Sequence, residues 1–128
     1  MELDGLSILL VEDSWQVGMA LKDLLRSMGS TVVGPVASTA DAERVLFEHR
    51  PDAVIVDINL RGGELAYGLI DRLHDQGIPI IVISGYENIP QAAGKVTAFL
   101  QKPIREEELV ETCARLQCRR RHREPRIN

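Results

Sequence analysis

The chain has 128 residues, enough for one domain to bury a core without disulfides or a structural metal, and a formal net charge of −4. No apolar run approaches the roughly 20 residues of a membrane helix, and the start Met1-Glu2-Leu3-Asp4-Gly5 lacks the basic and apolar regions of a signal peptide, so a cytoplasmic location without membrane association is expected. Residues 119–128 hold five arginines and one glutamate, a net +4 that leaves −8 on residues 1–118, an acidic body not expected to grip DNA.

In chain order, the first apolar run, Leu6 to Val11, predicts a strand. Val17, Ala20, Leu21, Leu24, Leu25 and Met28 then form a helical stripe that Gly29 stops. A second strand is expected over Thr31 to Val36. Ser38-Thr39-Ala40-Asp41 reads as a capping box ahead of Val45 and Leu46, with Arg50-Pro51 ending that helix. Ala53 to Ile58 predicts a third strand, and Ala66, Leu69, Ile70 and Leu73 a third helix closed by Gly77. Ile78 to Ile83 predicts a fourth strand. The segment from Ser84 to Val96 is weaker: Asn88 could cap and Pro90 could enter a first turn, but Gly94 follows quickly, so the fourth helix should be short. Val96 to Leu100 predicts a fifth strand, and Leu109, Val110, Cys113 and Leu116 a last helix opened by Glu106-Glu107-Glu108. On one helix Cys113 and Cys118 would lie about 7.5 Å apart along the axis, too far to bridge easily, so both read as reduced thiols.

The runs are rich in Val and Ile and continuous rather than alternating, as in strands buried on both faces. Five strand–helix alternations predict an α/β, doubly wound (βα)5 domain with a parallel sheet of order 2-1-3-4-5. The expected domain covers 1–118, with 119–128 a flexible basic tail. Ligands of such sheets bind beyond the carboxyl ends of the strands, where the strand order reverses.

That rule selects Glu12 and Asp13 after strand one, Asp57 at the end of strand three, Ser84 after strand four and Lys102-Pro103 after strand five. Crowded carboxylates repel unless a cation joins them, and oxygen ligands suit Mg²⁺. A carboxylate can also act as a nucleophile and form an aspartyl phosphate, with a lysine and a hydroxyl holding the oxygens of the transferring group.

The order Glu-Asp, Asp, Ser, Lys-Pro at these strand ends resembles the receiver domains of two-component response regulators, which have a flavodoxin-like fold, over residues 6 to about 118. The resemblance implies that Asp57 is the phosphoacceptor, fed by a phosphohistidine of a sensor histidine kinase or phosphotransfer protein. It implies that Asp13 binds Mg²⁺ directly, Glu12 through water, and that Asp57 and the main-chain carbonyl of Asn59 complete the ligands. Ser84 would bond the phosphoryl group and Lys102 pair with it, Phe99 would be the switch aromatic, Tyr86 and Asn59 would tune phosphoryl lifetime, and the bond before Pro103 would be cis. Gly34-Pro35-Val36-Ala37-Ser38, Asp57-Ile58-Asn59-Leu60-Arg61-Gly62 and Ser84-Gly85-Tyr86 resemble stand-alone receivers of alphaproteobacteria. Two departures stand out. The short fourth helix puts the family's usual dimer in question, leaving a monomer or weak dimer. Leu60-Arg61 replaces a frequent Met-Pro, so that loop is expected to be more mobile.

Blander readings exist for each residue alone: Asp57 as a helix cap, Glu12 and Asp13 as helix-dipole partners, Lys102 as a loop lysine, Ser84 as a turn serine, Phe99 as a core aromatic. Trp15 reads as a partly exposed helix-start residue, and His49, His74 and His122 lack metal-ligand spacing. An alternative use is a phosphate sink or a pseudo-receiver scaffold; the latter should lack part of the acidic set, which is complete here. An aspartyl-phosphate phosphatase is disfavoured, since its nucleophile belongs on the first strand with a second Asp two residues on. A nucleotide or flavin binder would need a Gly-rich loop where Glu12-Asp13-Ser14-Trp15 stands. The chain is thus expected to be a signalling receiver rather than an enzyme, acting on an output protein by contact.

Overall fold

In the computed structural model, which describes residues 1–60, 63–85 and 90–123, the apolar runs pair as five parallel strands. They are β1 (Ser7–Val11), β2 (Thr31–Val36), β3 (Ala53–Asp57), β4 (Ile80–Ser84) and β5 (Ala98–Gln101), in the order β2-β1-β3-β4-β5. The doubly wound topology expected from the sequence is the one found.

Side chains alternate across the sheet and build two cores. On one face Leu9, Val11, Val54, Val56, Ile80 and Val82 meet helices α2 (Thr39–Glu48) and α3 (Tyr67–Asp75). On the other, Ile8, Leu10, Ile55, Ile81 and Ile83 meet α1 (Trp15–Ser27) and α4 (Glu106–Arg123). β3 and β4 are buried at every residue, and each fully buried Ile or Val contributes roughly 2 kcal/mol. α2 starts where its capping box indicated, with Ser38 accepting from the Asp41 N–H at 3.1 Å, and α1 is capped by Ser14, which accepts from the Val17 N–H at 3.3 Å.

Several expectations need correction. β4 begins at Ile80 rather than Ile78, because Pro79 has no N–H for the ladder; its carbonyl still accepts from Val54 at 3.0 Å. β5 begins at Ala98 rather than Val96. The fourth helix is short as expected, a 3₁₀ turn at Pro90–Ala92 among the described residues, ahead of Gly94 at φ +79°; Asn88, expected as its cap, and Arg61 of the β3–α3 loop lie outside the described residues. The first stripe is only half covered, since Leu21 and Leu25 are buried but Val17 and Ala20 are exposed. α4 continues past Cys118 to Arg123, and Arg120 Nε lies 3.0 Å from Asp52 Oδ1. Cys113 and Cys118 are both free on α4, and burial pushes the Cys113 thiol up to about 12. No described helix is long and apolar enough to cross a membrane.

The end of β2 carries an irregularity that matters for the site. The register with β1 shifts between Leu9 and Val11, and Gly34–Pro35 is cis. Gly34 has φ +109°, and a Cβ there would lie 2.4 Å from the Leu10 carbonyl oxygen. Lys22 Nζ donates to the Gly34 carbonyl at 2.8 Å, and Pro35 packs on Gly18 of α1, where a Cβ would come within 2.6 Å of its ring. Gly34→Ala combines an unfavourable φ with a backbone clash and is expected to cost about 2 kcal/mol or more in urea denaturation. A variant as stable as the parent would show that this close approach does not constrain the fold.

Candidate functional site

Each strand that reaches the carboxyl edge near the reversal delivers one side chain. Glu12 follows β1 directly, and its N–H donates to the Val36 carbonyl at 2.9 Å, so the shifted end of β2 fixes its backbone. Its Oε1 accepts from the Ser14 N–H at 3.1 Å. Asp57 ends β3 and is only 4% exposed; its Oδ1 accepts from the Asn59 N–H at 3.1 Å. Asn59 also bridges to Leu65, which folds the β3–α3 loop back across the strand end.

From β5, Lys102 is drawn in by its own backbone, whose N–H donates to the Ser84 carbonyl at 2.7 Å. Its Nζ donates to Asp57 Oδ2 at 2.7 Å and lies 3.4 Å from Glu12 Oε2. The Lys102–Pro103 bond is cis. Ser84 is fully buried at the end of β4. Phe99 is half-buried against the α2/α3 core, level with Val82 in the ladder. Tyr86 lies outside the described residues.

Glu12, Asp13 and Asp57 each offer a carboxylate oxygen, all within 4.8 Å of one another. At about 5 Å two unit charges repel by roughly 3 kcal/mol at an effective dielectric near 20. Burial, and then the charge of Asp57, raise the Glu12 pKa from 4.5 to about 7. Burial alone would lower the pKa of Lys102, but its hydrogen bond to Asp57 and the charges of both acids outweigh this and raise it. Lys102 therefore stays charged as the local counter-ion. Glu12 Oε2 sits within ion-pair range of it yet is buried without a hydrogen bond to a described residue. An orphaned buried carboxylate oxygen beside two more is what a cation would satisfy. The all-oxygen donor set fits a hard ion such as Mg²⁺ rather than zinc or copper.

Five of the residues selected from sequence (Glu12, Asp13, Asp57, Ser84 and Lys102) thus meet at one edge. Two were missed. Gly18 gives Pro35 room beside Glu12, whose Cγ would lie 3.7 Å from a Cβ there, and Ser14 both caps α1 and holds Glu12 Oε1. A glycine inside a helical pattern was the available signal for the first.

A family model described as the response regulator receiver domain matches residues 8–114. The chain belongs to the receiver-domain family of response regulators. Solved receivers share the fold. The receiver domain of a signal-transduction histidine kinase from Syntrophus aciditrophicus is 25% identical, with TM-score 0.81, covering 95% of this chain and 96% of that one. The receiver of a modulated diguanylate cyclase from Desulfovibrio desulfuricans is also 25% identical, with TM-score 0.78 and coverage of 92% and 98%. A response regulator receiver domain from Methylobacillus flagellatus, at 24% identity and TM-score 0.77, covers 87% and 98% and shows likeness of fold alone. A search of curated proteins found no match.

The receiver's carboxylates make its stability depend on pH in a defined direction. The folded-state pKa of Glu12 lies above the unfolded one, so the neutral form favours the native state. This contribution of Glu12 is full below about 4.5 and is lost as pH rises through about 7. The loss is on the order of 3 kcal/mol in a metal-free buffer. Glu12→Gln is expected to flatten this slope and to be the more stable protein at pH 8 in EDTA, as read by urea denaturation at a series of pH values. A parent whose stability does not fall from pH 5 to pH 8 would contradict the placement of a strained carboxylate here.

Proposed function

We propose that this receiver accepts a phosphoryl group on Asp57 from a phosphohistidine of a sensor histidine kinase or phosphotransfer protein in the cytoplasm, and passes the signal on by contact with an output protein. The observation that carries the reading is Asp57 itself: a nearly buried carboxylate whose Oδ2 is held by Lys102 at 2.7 Å within a cluster of three acids. In the transfer, an Asp57 carboxylate oxygen bonds to phosphorus as the phosphorus–nitrogen bond of the phosphohistidine breaks. The imidazole leaves with the bonding pair, and an acyl phosphate remains on Asp57.

The surrounding groups have distinct parts. Glu12, Asp13, Asp57 and the Asn59 carbonyl would hold Mg²⁺, with Glu12 acting through water; the bound ion would offset negative charge on the acids and the incoming phosphoryl oxygens. Lys102, now paired with Asp57, would exchange that partner for a phosphoryl oxygen, and Ser84 would donate its hydroxyl to another. That exchange would be passed on by Ser84, Phe99 and Tyr86 as the switch, and Asn59 and Tyr86 would set phosphoryl lifetime. Residues 1–118 would carry all of this, with residues 119–128 dispensable for phosphotransfer. Neither DNA nor a membrane is required, and the protein would act as a monomer or weak dimer.

Incubation with acetyl phosphate and Mg²⁺ is expected to add one phosphoryl group as a base-labile mass increase, and Asp57→Asn to abolish it. A variant that still gains the mass would overturn the assignment. Metal binding should show separately as mass action on folding. Millimolar Mg²⁺ is expected to raise the Tm of the parent, by the equivalent of about 2.7 kcal/mol at 100 times its Kd. Asp13→Asn should be more stable than the parent in EDTA and gain little from Mg²⁺. An Asp13→Asn protein that responds to Mg²⁺ like the parent would place the ion elsewhere.

A further inference from the structure

At the opposite end of the sheet from the carboxylates, the N-terminal ends of the strands surround a cleft of about 390 Å³, a volume within the range of small-ligand pockets. Its charged lining is Arg50, Arg119, Arg120 and Asp52. Asp52 is already neutralised from two sides: Oδ2 accepts from the Ser7 N–H at 2.8 Å, and Oδ1 accepts from Arg120 Nε at 3.0 Å. Arg120 also donates to Gln117 Oε1 at 3.1 Å. Arg50 donates one N–H to the Gln76 carbonyl at 2.9 Å, which leaves most of its five donors unassigned. Arg119 is exposed and makes no hydrogen bond or ion pair with a described residue.

The lining thus holds three guanidinium groups against one carboxylate that is already paired. This local excess of positive charge stands on a body whose net charge is −8 over residues 1–118. Gly77, at φ +72°, lines the same cleft beside Arg50. Leu6, Pro79 and Leu116 supply an apolar wall. Planar guanidinium forks match phosphate oxygens in pairs, and two of them flanking an apolar wall suit a phosphate joined to a small apolar body.

We propose that this cleft binds a small phosphate-bearing molecule, whose phosphate sits between Arg50 and Arg119 while Arg120 stays paired with Asp52. The site is separate from the phosphoacceptor edge and does not depend on its assignment. It is formed from residues that precede β1, β3, β4 and β5 and from α4, so a bound anion would tie the end of α4 to the base of the sheet.

The test uses the full chain in EDTA, with inorganic phosphate and adenosine monophosphate as probes and sodium chloride at matched ionic strength as control. Either probe is expected to shift the backbone amide resonances of Gly77, Thr97 and Arg119 saturably, leaving those of Ser14 and Asn59 in place. Arg119→Gln removes no internal partner and should fold normally, with affinity about tenfold lower. Arg50→Gln should do the same, and retention of its Tm in buffer alone checks that loss of the Gln76 contact has not unfolded it. Shifts that map to Ser14 and Asn59 instead, responses equal to those of sodium chloride, or an Arg119→Gln protein that binds as the parent does would each overturn the proposal.

Discussion

Three carboxylates held within 4.8 Å of one another, two of them buried, are the constraint around which this receiver is arranged. Left alone such a group repels itself, and the unfolded chain relieves the repulsion simply by separating the charges. The native state must therefore contain compensation: Lys102 is brought across from the end of β5, and backbone N–H groups of Ser14 and Asn59 are turned onto the acids. The compensation is incomplete, since Glu12 Oε2 has no hydrogen bond to a described residue and Glu12 favours its protonated form well above the usual carboxylate range. A bound cation would relieve that residual strain.

The rest of the fold supplies the rigidity this needs. β3 and β4 are buried on both faces, so the strand ends that present Asp57 and Ser84 cannot shift without exposing Val and Ile side chains. β1 is held from the other side by the irregular end of β2, where Gly34, Pro35 and Gly18 allow a close approach that sets the Glu12 backbone against Val36. A regular β2 would leave the Val36 carbonyl out of line with Glu12.

Charge is also distributed by purpose along the sheet axis. The carboxyl edge concentrates acids and one lysine; the amino edge concentrates arginines around Asp52, with α4 reaching past the sheet to contribute two of them. The two ends are linked through the same strands, β3 and β4, which carry Asp57 and Ser84 at one end and follow Asp52 and Pro79 at the other.

The sequence alone determined the order of the strands, the helices between them and the residues at the carboxyl edge. These follow from local quantities: the period of apolar residues, the capping box at Ser38, and the acids and lysine that end apolar runs. What only the tertiary structure decided depends on approach between distant segments. Gly34–Pro35 marks an irregular strand in the sequence, but where the register shifts is decided by Leu10 and Gly18 on neighbouring elements. The exposure of Val17 and Ala20 and the continuation of α4 through Arg120 reflect which surfaces found a partner. The raised pKa of Glu12 has the same origin, since burial and the nearness of Asp57 exist only once β1 and β3 are paired side by side.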